Sequence, residues 1–275
     1  MSDDSVQVTL LGTGTSTGIP VIGCACATCR SDDPRDRRLR CSCLVEANGL
    51  RILIDAGPDL RTQALRYGIH DLDAVLITHH HFDHVAGLDD LRPLLFRNRA
   101  AIPCFAVENT VQTLTDMYPY IFRDGSYPGV ARLSLHAVQG PFSVTSRSGT
   151  EASVDIIPIP AMHGTLPVLG YRIGSFAYLT DVSDVPFASR HLLEDLDLLV
   201  LDALREHPHP MHLSFSEAIA LASSIEARET WFIHMTHGTL HADIDADLPE
   251  GMSLGWDGRV KQSPLTSRST SSIPV

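Results

Sequence analysis

Apolar and polar positions alternate in short bursts along this chain, and strand after strand ends in a residue that can bind a metal or move a proton. Residues 6–12, VQVTLLG, alternate and then turn apolar before the glycine-rich GTGTSTG, which predicts a strand entering a tight turn. SCLVEANGLRILIDAG at 42–57 predicts two strands joined by the hairpin dipeptide Asn48-Gly49, the second delivering Asp55 into a Gly-Pro turn. Residues 59–67 suit a helix, LDAVLITHHH at 72–81 reads as a buried strand running into three histidines, and GLDDLRPLLF at 87–96 has helical periodicity. IPCFAVE is strand-like, ENTVQTLTDMYPYIF predicts a helix broken near Pro119, and 143–154 predicts an exposed loop between strands. VDIIPIPAMHG, LGYRIGSFAYLTDVSDVP, LDLLVLDALREHPHPMH and WFIHMTHG are further apolar runs ending in His or Asp. SFSEAIALASSIEA at 214–227 carries a serine cap with Glu217 three residues on, the signature of a capping-box helix. The pattern predicts an α/β protein whose helices cover sheet faces and whose polar strand ends converge at one edge.

Composition narrows the classes. At 275 residues and 44% hydrophobic, the chain is expected to form one elaborated domain over 1–262, with 263–275 as a flexible tail. A formal charge of -12 argues against a general nucleic-acid or anionic-membrane binder. Arg30, Arg35, Arg37, Arg38 and Arg40 nevertheless form a local basic patch. No apolar run is long enough for a membrane span, and the acidic MSDDSVQVTLLG does not read as a secretory signal, so a cytoplasmic location is expected. Five of the six cysteines fall between 24 and 43, where reduced thiols are available to metal.

THHHFDHVAG at 78–87 concentrates the candidate chemistry. His79 and His81 have the spacing that sends two side chains to one side of an extended segment, and Asp83 and His84 follow after a turn. Alone, such a pattern could be a polar loop. His163, Asp181 and His234, each after an apolar run, raise the candidate ligands to seven, which suits two metals ~3.5–4 Å apart. A second cluster, GCACATC, supplies Cys24, Cys26 and Cys29, three thiolates that lack one ligand for tetrahedral zinc. Buried inert cysteines and redox chemistry are the other readings of that cluster. Cys41 and Cys43 read as small core residues, and Asp55 could be an ordinary turn cap.

Thr78, His79, His81, Asp83 and His84 match the THxHxDH motif, and from about residue 8 to 260 the chain resembles the metallo-β-lactamase superfamily. The resemblance implies a four-layer αββα sandwich with two divalent metals, Zn, Mn or Fe, at one edge. It assigns His79, His81 and His163 to one metal, Asp83, His84 and His234 to the other, and Asp181 as the bridge. Asp55 would orient the metal-binding loop without ligating. The cysteine cluster is similar to that of the cyclic phosphodiesterases of the carbon-phosphorus lyase pathway, which act on 5-phosphoribosyl 1,2-cyclic phosphate. That subfamily completes a structural zinc with a histidine three residues after the last active-site histidine, here His237, and places a histidine just before the long helix, here His212. His212 is the implied general acid or phosphate contact, and Asp83 doubles as ligand and catalytic residue. His207 and His209 read as a solvated proline-rich loop, and His241 is a rival zinc ligand.

The implied activity is metal-dependent hydrolysis of a small cyclic phosphate ester or cyclic nucleotide. Competing readings are a ribonuclease of the tRNA 3′-processing type, a lactonase or thioesterase, and a non-catalytic zinc-stabilised binding protein. The middle segment 104–155 is longer than in the carbon-phosphorus lyase enzyme and is expected to reshape the pocket. The expected partner is a small phosphodiester, with no membrane and no stable nucleic-acid partner; a homodimer is compatible with the sequence.

Overall fold

The computed structural model of the protein describes residues 5–96, 100–122 and 129–265. Its strands are β1 (Ser5–Gly12), β2 (Ser42–Ala47), β3 (Leu50–Ile54), β4 (Ala74–Leu76), β5 (Ile102–Ala106), β6 (Leu133–Ala137) and β7 (Phe142–Thr145). They continue with β8 (Ser153–His163), β9 (Leu166–Ile173), β10 (Phe176–Leu179), β11 (Leu198–Asp202), β12 (Glu229–Ile233), β13 (Met252–Leu254) and β14 (Val260–Pro264). Two seven-stranded sheets result, ordered β14-β1-β2-β3-β4-β5-β6 and β13-β12-β11-β10-β9-β8-β7.

Period-two alternation explains why the sheets stack. In β3, Leu50, Ile52 and Ile54 face a core shared with Phe176 and Tyr178 of β10, Leu198 and Val200 of β11, and Trp231 and Ile233 of β12. Leu53 and Val75 face outward to a second core with Leu60, Leu88, Leu91 and Leu114 from the covering helices. Ala177, Leu199, Leu201 and Phe232 face a third core with Phe215, Ala218 and Ala222. Helix, sheet, sheet and helix thus form the four layers of an αββα sandwich.

The Asn48-Gly49 hairpin forms with both residues at positive φ, 50° and 77°, as a two-residue turn of the primed kind requires. The Ser214–Glu217 capping box is present and starts the helix Phe215–Ile225. The break at Pro119 separates helices Glu108–Met117 and Pro119–Phe122. Residues 88–96 differ from expectation in coiling as a 3-10 helix with Pro93 inside, since proline removes an α-helical donor. The expected loop at 143–154 is shorter, because β7 and β8 pair from Phe142–Ile156 to Thr145–Ser153. Ser263 and Pro264, expected to lie in the tail, belong to β14. Ser263 pairs with Val6, is buried and donates to Asp197 at 2.9 Å; residues 266–275 lie outside the described residues. The segment 104–155 builds β6 and β7 at the far edges of the two sheets.

Chain direction positions the site. β3 through β6 run parallel, as do β10 through β13, and β8 shares the direction of β10 through its antiparallel neighbour β9. The carboxyl ends of β3, β4, β8, β10, β11 and β12 therefore meet at one edge, the usual place for a ligand site in open α/β sheets. Leu169 N–H donates to Thr78 O at 3.0 Å and Tyr171 Oη to Ile77 O at 2.8 Å, pinning the sheets together where the histidine segment begins.

Behind this edge lies a buried polar knot. Arg38 donates to Thr13 Oγ1 at 2.8 Å, Gly255 O at 2.6 Å and His241 Nδ1 at 2.8 Å, while Asp36 accepts the His241 N–H at 2.7 Å. Burial, with the Arg38 guanidinium beside it, pushes the His241 imidazole down to about 4. Because that lies below its unfolded value, the unfolded chain binds more protons between pH 6.5 and 4, and stability drops as pH falls through this window. Thermal melts should show wild type losing about 1–3 kcal/mol more than His241→Gln over that range. Parallel pH profiles would contradict this.

Candidate metal centre

The histidine segment divides as its spacing predicts. His79, His81, His163 and Asp181 bring one ligand atom each within 4.8 Å of one another, and so do Asp83, His84, Asp181 and His234. His80, the middle histidine, joins neither set and packs its ring against His81 at 5.8 Å. His84 Nε2 and His234 Nε2 lie 3.1 and 3.2 Å from Asp181 Oδ1, and His79 Nε2 lies 3.9 Å from Asp181 Oδ2. All three nitrogens are buried without a hydrogen-bonding partner. Water-excluded imidazole nitrogens aimed at shared carboxylates are costly unless something cationic fills the space between them. The donor set, neutral imidazoles with two carboxylates, fits a pair of divalent metals.

Two of the other imidazole nitrogens are tied down. His84 Nδ1 lies 2.7 Å from Asp55 Oδ2, and His163 Nδ1 donates to Met211 O at 2.7 Å. Asp55 also accepts the Thr78 N–H and hydroxyl, both at 2.8 Å. Asp55 therefore fixes the loop and one imidazole's tautomer without reaching either donor set. Burial pushes Asp55 up in pKa, opposed by His84 and Thr78. For Asp83 and Asp181 burial acts in the same sense but is outweighed, and both are held below the ordinary carboxylate range. The neighbouring imidazoles of His234 and His84 do this for both carboxylates.

Close packing and backbone strain aim these groups. A Cβ on Gly57 would stand 2.0 Å from Asp83 O, and one on Gly87 2.2 Å from Gly57 O, so glycine alone lets the two loops touch. Asp55, Asp181 and His234 adopt φ of 61°, 53° and 65°, each just beyond a strand end. Such conformations cost on the order of 1 kcal/mol or more each and turn the side chain back toward the edge.

His212 stands beside both sets, its ring centroid 4.6 Å from His163 and 4.7 Å from His234, stacked on the latter. Its Nδ1 lies 3.1 Å from Asp202 Oδ2. Asp202 Oδ1 is 3.3 Å from His234 Nδ1, and Oδ2 accepts the Val182 N–H at 3.2 Å. Asp202 thus links His212, His234 and the neighbour of Asp181. It was missed from sequence, although LLVLDA ends as ILIDAG does. His209 packs against His212 at 5.3 Å and is half-buried, whereas His207 is exposed.

The cysteine cluster closes as expected. Cys24, Cys26, Cys29 and His237 bring four ligand atoms within 4.8 Å of one another, with the Cys24 and Cys26 sulfurs 3.4 and 3.3 Å from His237 Nδ1. The hydrogen bond to His237 lowers the Cys26 thiol to about 6, while burial raises Cys29 to about 11. Three sulfurs and an imidazole suit tetrahedral zinc. His241 faces Arg38 instead, and Cys41 and Cys43 are buried core residues. Among the described residues, nothing from 104–155 enters a donor set.

Two outcomes follow. Asp55→Asn should weaken metal retention about 10–100-fold in chelator competition, because an amide has one accepting oxygen where Asp55 uses two, one for the Thr78 N–H and the other for the Thr78 hydroxyl and His84. Wild-type retention would exclude that role. Cys26→Ser should lower both zinc content and melting temperature while leaving the His/Asp centre loaded; an unchanged zinc-to-protein ratio would remove Cys26 as a ligand.

Comparison with known proteins agrees with this geometry. The chain is 41% identical to the protein of the solved structure titled "Crystal Structure of a New Diphosphatase from the PhnP Family", with a TM-score of 0.86 over 94% of this chain and 97% of that one. It is 42% identical over 254 residues to an octanoyltransferase of Porphyromonas gingivalis, covering 90% of this chain and 50% of that protein. It is 30% identical over 182 residues to a ribonuclease Z of a Mycobacterium species, covering 61% of this chain and 57% of the relative. The chain thus spans about half the length of these curated relatives. Residues 50–235 match the model of the beta-lactamase superfamily domain, and with two His/Asp donor sets at the shared edge of its sheets, this chain belongs to the beta-lactamase superfamily.

Proposed function

We propose that the chain hydrolyses a small cyclic phosphate ester, such as 5-phosphoribosyl 1,2-cyclic phosphate or a related cyclic nucleotide, with His79, His81, Asp83, His84, His163, Asp181 and His234 holding two divalent metals. His212 carries the reading: an imidazole contacting both donor sets, with Nδ1 on buried Asp202, is what a poorly leaving sugar alkoxide needs. Bound there, divalent cations supply Lewis acidity to a phosphoryl oxygen and acidify water. Asp83 and Asp181 stay ionised to hold them. The Nδ1–H donated to Asp202 leaves His212 Nε2 as the nitrogen that carries a proton to the departing oxygen.

Diphosphate hydrolysis is the second reading, favoured by the printed title of the 41% identical solved relative. The two differ in leaving group, since a phosphate departs without the proton that an alkoxide requires. The octanoyltransferase name belongs to a protein half of which lies outside the match. An acyl-carrying thiol also lacks support here, because burial raises the pKa of Cys41, the cysteine with the charges of Asp181 and His84 in range. Net charge of -12 disfavours long RNA over a small ester.

Metal-loaded protein should be assayed on 5-phosphoribosyl 1,2-cyclic phosphate, 2′,3′-cyclic nucleotides, an aryl phosphodiester, a dinucleoside diphosphate, pre-tRNA, a lactone and an octanoyl thioester. The cyclic phosphates should turn over fastest; a lactone or thioester outpacing every phosphate ester would reject the proposal. His212→Ala should lower kcat on the cyclic sugar phosphate about 10²–10⁴-fold, yet change the aryl ester, with its good leaving group, less than about tenfold. Equal losses on both would remove His212 as the proton donor.

A further inference from the structure

Exposed apolar side chains gather on one of the two helical layers. Leu65 of the helix Leu60–Arg66 is 69% exposed, and Phe96, which closes the 3-10 helix Leu88–Phe96, is 78% exposed. Met117 and Tyr120, on the two helices that follow, are exposed as well. The helices Phe215–Ile225 and His241–Asp247, which cover the other sheet, expose no large hydrophobic side chain. Apolar surface gathered on one face, rather than scattered singly, marks a site of interaction.

Leu65 and Phe96 line a groove of about 440 Å³ between their two elements, with Ile69, Pro93 and Leu94 in its wall and Arg61 and Asp90 at its rim. Both walls run in one direction, because they follow the parallel strands β3 and β4 and return over the same sheet face. Their starts touch: a Cβ on Gly87 would stand 2.8 Å from the Leu60 Cβ. Arg61 and Asp90 therefore lie on opposite walls at one end of the groove, and Leu65 and Phe96 lie on opposite walls toward the other end. Both charged side chains are exposed, and neither has an ion-pair partner among the described residues.

This layout is self-complementary. In a two-fold pair the same patch meets itself, so each wall must match whatever faces it from the second copy. A two-fold axis running along the groove sets the first wall of each copy on the second wall of the other and leaves positions along the groove unchanged. Arg61 then faces Asp90 of the second copy and Leu65 faces its Phe96, each contact made twice. An axis across the groove would instead lay the helix Leu60–Arg66 antiparallel on its own copy, bringing Arg61 toward the end that carries the exposed Arg66. Charge thus selects a second copy of this chain as the occupant and the lengthwise axis as the arrangement.

We propose that the protein pairs with a second copy of itself through this groove, with Arg61 and Asp90 forming reciprocal ion pairs beside an apolar centre of Leu65 and Phe96. Apolar anchors rimmed by charge are the layout that gives an interface both affinity and register. Because the lengthwise axis preserves position along the helices and the strands beneath them, both metal-bearing edges open at the same end of the pair. The groove starts where Gly57 and Gly87 bring the loops after β3 and β4 into contact, so the second copy braces the elements directly behind Asp55 and Asp83.

Sedimentation equilibrium of the full-length, metal-loaded protein over about 1–100 µM tests this. Wild type should sediment as two chains. Leu65→Glu and Phe96→Glu, which place a charge in the apolar centre, should each raise the dissociation constant about 100-fold or more. Arg61→Glu and Asp90→Arg should each raise it about tenfold or more, since each sets like charges face to face twice, and the double exchange should return it to within about threefold of wild type. A chain that cannot fold does not regain pairing on a second substitution, so recovery in the double variant separates a broken contact from a broken fold. A monomeric wild type, or an assembly of more than two chains, overturns the proposal, as does a pair indifferent to Leu65→Glu and Phe96→Glu. Single charge variants that leave the pair intact, or a double exchange no better paired than either single change, overturn it as well.

Discussion

A carboxylate that stays charged where water cannot reach it organises this protein. Asp181 is 2% exposed, and stripping an ion of its hydration costs several kcal/mol unless opposite charge takes water's place. The imidazoles of His84, His234 and His79 surround it as the donors that would hold such a charge, and they follow strands of both sheets. Neither sheet can build the centre alone. The sandwich must therefore be held in register at this edge, which is where Thr78 O and Ile77 O accept hydrogen bonds from β9.

Regularity in the layers permits irregularity at the edge. The inner faces of β3, β10, β11 and β12 interdigitate as uninterrupted aliphatic and aromatic rows, giving stability enough to tolerate left-handed backbone at Asp55, Asp181 and His234. Those three turns make the strand ends deliver side chains to one space instead of continuing the sheet. The polar supports follow a common logic, in that a buried carboxylate fixes the far nitrogen of an imidazole. Asp55 does so for His84 and Asp202 for His212, with Asp202 also lying against His234.

A layered α/β core and seven candidate His/Asp ligands were legible because strand periodicity is local and the ligands follow apolar runs, whereas the four-layer αββα order and the division of the ligands into two sets came through the family resemblance. His79 and His81 could be separated from His80 by the period of two. His237 was identifiable through resemblance, and the geometry places it among the three cysteines. Asp202 escaped because nothing in LLVLDA distinguishes a carboxylate beneath two imidazoles from a cap at a strand end. The Met211 carbonyl that orients His163 was invisible too, since backbone acceptors leave no mark on residue type. The 3-10 coiling of 88–96 and the pairing of Ser263 depend on neighbours far along the chain, which local pattern cannot register.

The central claim is that metals, not protons, resolve the crowding of nitrogens around Asp181. Anomalous diffraction from crystals of protein purified without chelator, collected on either side of the zinc, manganese and iron edges, addresses this directly. The account predicts two peaks about 3.5–4 Å apart flanking Asp181, one contacted by His79, His81 and His163 and the other by Asp83, His84 and His234. A third peak should stand among Cys24, Cys26, Cys29 and His237. Density showing these seven His/Asp side chains hydrogen-bonded to one another around Asp181, with no anomalous signal after metal is supplied, would contradict it.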